Sequence, residues 1–571
     1  MKSNKNIIFV MLSVLSVLVG CSEDFLDRPP QSSLVDAGFY NSDEQVLAGT
    51  APLYSAVWKT YSDAANFKLG DIRGGTVFRQ WNDRDAVEFN ITAVSSANEQ
   101  AYRSFFIVVG QSNLVINNVN TFAGEAVSDE IRNHALGEAH FMRATAYQHL
   151  VMNYGAVPII ENNLDHLDNP QLKRNTVESV WEFIQRDYEF AAANLTEQPL
   201  EEGRLTKWSA LGMLARTHLT IAGLGATPGN RDQARLNLAM EYADSVITMS
   251  GKGLLTDYAD LFRYPYDNNN ESLFELQWVF SLAPNGYDAA NTMVSQITYS
   301  NNIAANGDGW GGDLGASWWL LSLYDGLIVD DGATPGFTLD DRLKASFMLP
   351  GFTYPEITQT VTDDDGNVSE QDLVFEDPGD DADNSVASIK KYVVGKAVDV
   401  GGEADRQRYP NNTYMLRLSE VYLTYVEAAL GNNASTTDAK AMSYFNAVHQ
   451  RATHSEFPEN GTDLLTWDVI FEERIKEFAM ESMAWYDLVR LHYYDPNKAY
   501  SIINSQDRGF YAIHPNQWPD PTAWTFEKTS WREFSTATAN SGNFLLPLPA
   551  SEASQAPSLS EDPVPYDFTV E

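Results

Sequence analysis

The feature that most constrains this fold is a series of long amphipathic helices that arrive in antiparallel pairs. Residues 100–122 and 129–154 are separated only by a short turn at Gly124. In the second, Ala139, Met142, Ala146 and Leu150 recur at i, i+3, i+7 and i+11, one apolar stripe along a helix. Gly155-Ala156-Val157-Pro158 stops it. Further helices are expected over 42–61, 176–194 (Thr176 as N-cap), 206–222, 232–249, 414–430, 437–452 and 467–492. Gly223, Gly225, Pro228 and Gly229 punctuate the fourth and fifth of the helices from residue 100 onward. Small residues sit where helices must cross: Ala139, Ala146, Ala210, Ala215, Ala428 and Ala429. Each pair can bury its face only on its neighbour, which is the logic of a tetratricopeptide-like array, here without a strict repeat. The expected fold class is therefore mainly α: a scaffold of helical pairs.

Between Leu261 and Arg408 the texture changes. Gly, Asn, Asp and aromatic residues become dense and long helices stop. Residues 271–280 alternate like a strand. Residues 361–368 carry an Asp-Gly turn between extended stretches and read as a hairpin. An EF-hand loop fails there, because Val361 occupies the first ligand position. The expected organisation is a segment 1–20 removed from the mature chain, a helical region 21–260, an irregular ligand-binding region 261–408 rich in loops and short strands, and a helical region 409–571.

The chain has 571 residues and a net charge of −40, which disfavours nucleic acid as a partner. It has one cysteine, Cys21, so no internal disulfide and no multi-thiolate zinc site can form. Lys2 and Lys5 precede an apolar run from Ile7 to Val19 that is too short to span a membrane and reads as a signal-peptide core. Leu18-Val19-Gly20-Cys21 resembles a bacterial lipobox, with Cys21 as the lipidated residue. Ser22-Glu23-Asp24 is similar to a surface-export signal of Bacteroidetes lipoproteins, though a plain polar tether explains it too.

Several further segments resemble the SusD/RagB family of outer-membrane lipoproteins. They are Cys21 to Asp27 followed by Pro29-Pro30, Gly137 to Tyr147 with Tyr154 to Pro158, and Arg204 to Arg216. Arg417 to Ala429, Glu473 to Arg490 and the closing strand-like Phe544 to Pro549 complete the set. Ser482 and Ala484 stand where Gly and Arg are usual, and His449 where an Arg is common. Gln555-Ala556-Pro557 replaces a common Asn-Pro. The resemblance implies an all-α scaffold and a lipid anchor in the outer membrane at the cell surface. It also implies a SusC-like, TonB-dependent transporter as partner, and non-catalytic capture of oligo- or polysaccharide.

Sugars present apolar C–H faces and polar edges, so a site needs exposed flat rings with amides, carboxylates and Arg beside them. Such rings belong on irregular segments. One candidate stretch holds Asp71, Arg79, Trp81, Asn82 and Asp83; family members often place a sugar-stacking ring here. The other runs from Tyr287 to Trp319 and includes Asn301-Asn302, the glycine-flanked Trp310, and the pair Trp318 and Trp319, one of which is expected to be buried. Trp81 can equally plug the scaffold edge, and Trp278, in the apolar strand, reads as core.

No H-E-x-x-H, Walker A or G-x-S-x-G motif occurs. Gly307 to Gly312 matches G-x-G-x-x-G formally, but no strand precedes it. His134, His140 and His149 share a helix at spacings that do not converge on a metal. Glu472, Glu473, Glu477 and Glu481 lie at helical spacing, where pairing with Arg474 and Lys476 is the plain expectation. No cofactor is expected; a structural divalent ion has no assignable ligands. The alternatives are a related lipoprotein carrying peptide or another nutrient, and a surface glycoside hydrolase. The glycan itself is not named: ring platforms suit glucans, fructans and mannans alike.

Overall fold

In the computed structural model, the described residues are 39–166, 171–226, 230–324, 340–375, 386–509 and 535–569. The expected signal segment, Cys21, the acidic residues after it, the Pro29-Pro30 tether, Pro228 and Gly229 lie outside them.

Helical pairs build the scaffold. They are α1 (Asp43–Thr50), α2 (Ser96–Phe122), α3 (Asp129–Tyr154), α4 (Val177–Asn194), α5 (Lys207–Ile221) and α6 (Gln233–Met249). Late in the chain come α7 (Leu418–Leu430), α8 (Ala439–Thr453), α9 (Trp467–Glu477) and α10 (Met483–His492). Side-chain oxygens start several of them. Thr176 accepts from Ser179 N, Thr206 and Ser209 form a reciprocal box, and Asp232 accepts from Ala234 and Arg235 N. Ala139, Ala146, Ala210 and Ala215 are fully buried, as close crossings require.

Three expected helices differ. The stretch 42–61 breaks after Thr50 into 3₁₀ turns, because Pro52 lacks an amide hydrogen for the helix to continue. The helix expected from residue 414 starts at Leu418, since Thr413–Arg417 pairs as a strand. The long helix 467–492 is two, α9 and α10, parted at residues 478–482, where Met480 and Ser482 take positive φ of 62° and 63°.

Among the described residues, four two-stranded ladders complete the fold, all antiparallel. β1 (Val77–Arg79) pairs with β3 (Leu314–Ala316), and β2 (Ser272–Leu276) with β8 (Thr413–Arg417). β4 (Phe347–Met348) pairs with β7 (Ser388–Ile389). β5 (Thr353–Thr362) and β6 (Val368–Val374) form the expected hairpin, with Gly366 at φ 83° in its turn. Trp278 is core: it is 4% exposed and its Nε1 donates to Thr413 Oγ1 at 3.0 Å. Phe544 to Pro549 forms no strand; its one ladder-like bond runs from Leu546 N to the Asn153 carbonyl at 2.8 Å.

A buried ionic network joins these parts. Glu477, fully buried, receives Arg417 at 2.6 Å, Arg342 at 3.2 Å, and Arg451. Glu473 receives Arg342 at 2.6 Å and His449 at 2.9 Å. Glu481 binds Arg417 at 2.7 Å and Lys391 at 2.9 Å. Pairing along the helix with Arg474 and Lys476 is thereby corrected: the buried face of α9 meets guanidiniums from other elements, while Arg474 turns to Asp487 at 2.7 Å. Burial alone would raise the Glu477 carboxyl, but Arg451, Arg417 and Arg342 outweigh it and hold it down at about 2. The folded value lies below the unfolded one near 4.5, so this contribution is present above pH 4.5 and lost as pH falls towards 2. Glu477→Gln is expected to cost about 3–5 kcal/mol at neutral pH, the usual loss when one partner of a buried pair is removed. Denaturant unfolding at pH 7 and in steps from pH 5 to 2 checks both points: the variant's stability should fall less steeply over the acid limb than the wild type's.

Candidate functional site

Two aromatic side chains project from the β1–β3 end of the molecule. Trp81 is 60% exposed and Trp310 is 48% exposed. They come together because the ladder runs Val77 to Ala316, Phe78 to Gly315 and Arg79 to Leu314, and continues with Gln80 N donating to the Asp313 carbonyl at 2.9 Å. Both chain segments leave the ladder at the same end, one as Trp81 and Asn82, the other running back through Gly312 and Gly311 to Trp310.

Asp313 organises that end. It is 3% exposed, and its carboxylate accepts from Arg79 Nε at 3.2 Å and from Asn82 Nδ2 at 3.2 Å. The amides of Trp81 and Asn82 point at it from 3.4 and 3.3 Å. Arg79 also holds Asp83 at 2.6 Å, and Asp83 sits at φ 48° before the turn Arg84–Val87. Arg79 is 8% exposed. It is therefore a positioning residue, corrected from the ligand contact the sequence predicts.

Trp310 is fixed from beneath. Its amide donates to the Ser295 carbonyl at 2.8 Å, and its Nε1 to Asp308 at 2.8 Å. The flanking glycines have a steric reason. A Cβ on Gly311 would lie 2.3 Å from the Ile297 carbonyl oxygen, and one on Gly309 would lie 2.7 Å from that of Ser300. The loop thus lies directly on the backbone of 295–300, and no other residue allows that approach.

Ser295 Oγ donates to the Arg406 carbonyl at 3.2 Å, which ties in the turn 405–408. From that turn the Arg408 guanidinium lies 4.0 Å over the ring of Tyr287, with Lys59 5.8 Å from the same ring. Tyr287 is half-buried. Trp81, Trp310 and Tyr287 are therefore linked through Asp313, Ser295 and Arg408. Asn82, Asn301, Asn302 and Arg406 are exposed along the same segments. Asp313, Ser295 and Arg408 were not singled out from sequence; only the Gly-Gly-Asp run beside Trp310 hints at the first.

Asp71 is corrected. It is fully buried and accepts from Thr76 Oγ1 at 2.9 Å and from the amides of Met480 and Ser482 at 2.8 Å each. Its oxygens are used inside the scaffold, where burial pushes the carboxyl up to about 6 despite those bonds. The expectation that one of Trp318 and Trp319 is buried is corrected. Both are half-buried, because they open the short helix Trp318–Leu321, where neighbours diverge by about 100° rather than alternating. Leu320 and Leu321 take the core.

The histidines of α3 have local partners: His134 meets Glu138 at 3.2 Å and His140 meets Asp187 at 2.6 Å. His149 is half-buried among rings, and the loss of solvent around its ring lowers the imidazole to about 3. Among the described residues no group of three His, Cys, Asp or Glu side chains is placed to hold a metal ion, and no helix is long and apolar enough to cross a membrane.

Asp313→Ala is expected to free the Trp81 loop. Hydrogen exchange of the amides of residues 80–83 should accelerate by about tenfold or more, the value of one or two lost charge-assisted bonds. Asp71→Asn should leave those amides protected and instead lower the melting temperature.

Comparison with known proteins adds the following. The family model described as the SusD family matches residues 270–564. A second, described as starch-binding and associating with the outer membrane, matches residues 24–219. A SusD-like protein of Bacteroides ovatus is 35% identical over 582 aligned positions, covering 99% of each chain. A crystal structure with a xylogluco-oligosaccharide is 33% identical with a TM-score of 0.76, covering 92% of this chain and 99% of that one. A SusD superfamily structure from Parabacteroides distasonis has a TM-score of 0.64 at 18% identity, covering 91% of this chain and 98% of that one, and shares the fold.

Proposed function

The chain belongs to the SusD family, and from that premise we propose that it is a non-catalytic, surface-exposed lipoprotein that captures oligo- or polysaccharide and passes it to a SusC-like, TonB-dependent transporter. The observation that carries this reading is the exposure of Trp81 and Trp310 at one ladder end, each on a backbone fixed by buried polar groups. One exposed ring is ordinary on a protein surface, whereas two at the same ladder end mark a candidate ligand surface. Held rigid, they offer flat faces to the C–H faces of a pyranose at little entropic cost. Asn82, Arg406 and the Asn301-Asn302 pair supply donors and acceptors for its hydroxyls. The surface is open, so a polymer can lie across it without threading.

Xyloglucan is the first ligand to test, because a relative of 33% identity was crystallised with a xylogluco-oligosaccharide. Its long, decorated chain suits spaced rings better than a deep pocket. Binding without cleavage leaves the reacting bonds intact, as a receptor feeding a transporter requires. Cys21, acylated, would tether the chain to the outer membrane, the location that the matching family's description names.

Native affinity gels test the reading with the soluble chain lacking residues 1–20 and Cys21. Xyloglucan, other β-glucans, mannan and fructan serve as the panel. Retardation by xyloglucan is expected, with Trp81→Ala and Trp310→Ala each weakening it by roughly tenfold, about 1.4 kcal/mol per ring. New reducing ends would remove the non-catalytic reading; unretarded migration on every polysaccharide would remove the glycan reading. In cells, Cys21→Ala should release the protein from the membrane fraction.

A further inference from the structure

A second cavity lies between the N-terminal half of α2 and the C-terminal segment that carries the short helix Ala550–Gln555. Its volume is about 310 Å³, at the lower end of small-molecule sites and enough for one ring. No residue that bears or positions Trp81, Trp310 or Tyr287 lines it. The two sides are tied together beside it. Ser558 Oγ donates to the Leu172 carbonyl at 2.9 Å, and Val564 N to that of Arg174 at 2.9 Å.

The wall is divided by chemistry. Tyr102, Phe106, Pro158, Ile160, Leu172 and Leu559 make its apolar part. Phe106, Ile160 and Leu172 are only half-buried, so apolar surface stays open there. The Phe106 ring is held by Tyr102, with centroids 4.9 Å apart, and by the edge contact with Tyr147 at 6.3 Å. Arg103, Glu552 and Gln555 make the polar part, a guanidinium, a carboxylate and an amide. Arg103 and Gln555 are exposed and Glu552 is half-buried. Among the described residues, none of these three side chains has a hydrogen-bond or ion-pair partner. Gln555 also stands in the run that replaces a common Asn-Pro, so this amide belongs to the chain's own departure from the family pattern.

An aromatic wall with an amide, a carboxylate and a guanidinium beside it suits a sugar ring. One cation and one anion give no preference for a charged ligand. The apolar part narrows the class further. A hydroxymethyl arm placed there would bury its hydroxyl among side chains that offer neither donor nor acceptor, whereas a methyl group meets only apolar surface. A 6-deoxyhexose carries that methyl group, and its ring hydroxyls can face the polar part.

We propose that this cavity binds a 6-deoxyhexose unit, methyl group inward and hydroxyls on Arg103, Glu552 and Gln555, independently of the Trp81–Trp310 surface. The ligand class rests on the glycan reading above; the site shares no residue with it.

Saturation-transfer NMR on the soluble chain tests it, with the methyl glycosides of L-fucose and L-rhamnose at millimolar concentration. The methyl glycosides of L-galactose and L-mannose are the controls, since each differs from its partner only by the exocyclic hydroxyl. The background is the Trp81→Ala, Trp310→Ala double variant, so failure of the rim and failure of the cavity read separately. At least one deoxy glycoside should give saturable transfer, with its hydroxylated partner weaker by roughly tenfold. Arg103→Ala should weaken the transfer by about tenfold while the melting temperature holds, because the side chain is exposed. Leu172→Trp, which fills the cavity from its half-buried edge, should abolish it. Four outcomes overturn the proposal: no transfer from either deoxy glycoside, equal transfer within each pair, transfer indifferent to Arg103→Ala and Leu172→Trp, or transfer from N-acetyl-leucine with none from the sugars, which would make the cavity a seat for a peptide side chain.

Discussion

Everything in this molecule leans on the buried charge around Glu477. Arg342 comes from the irregular region, Arg417 from the end of β8 and Arg451 from α8, and all three reach one carboxylate. Arg417 and Arg451 then share Glu271, at the start of β2, at 2.8 and 2.6 Å. No apolar contact could do this with equal selectivity. Burial of methylenes rewards proximity of any kind, whereas a guanidinium out of water is tolerated only where carboxylates meet its fork. The network therefore sets which way the loop-rich region faces the helical one.

A second buried carboxylate performs a related task. Asp71 receives two amides from the break between α9 and α10, where Met480 and Ser482 hold positive φ. Gly70 is needed at that contact: a Cβ there would lie 2.3 Å from Ser482. The helix breaks because the strand-bearing segment plugs into it, and the plug in turn delivers β1 to β3. Asp313 then takes over at the far end of the ladder. The path from scaffold to exposed ring is thus a relay of polar groups through the interior, with Trp81 at its tip.

This arrangement explains how a large, mostly helical chain can carry exposed rings on an ordered surface. Loops that bear exposed rings gain little from their own packing, so their order must come from groups behind them. Asp313, Ser295 and the glycines about Trp310 supply it. The scaffold's acidity places no obstacle before a neutral glycan, the ligand class proposed above.

The sequence by itself determined the helical pairs, their caps, the buried alanines and the change of texture after Leu261, because these depend on periodicity and on atoms a few residues apart. It also marked Trp81 and Trp310, since glycine and polar neighbours leave such rings nowhere local to hide. It did not separate α9 from α10, or Asp71 and Arg79 from true surface groups. Those outcomes rest on partners hundreds of residues away: Asp71 with Ser482, Arg79 with Asp313. Nor could it decide between Trp318 and Trp319, both half-buried, because a single helical turn, and not a strand, receives them. Local chemistry writes the elements; the cost of burying charge chooses how they meet, and that cost exists only once the chain has folded around it.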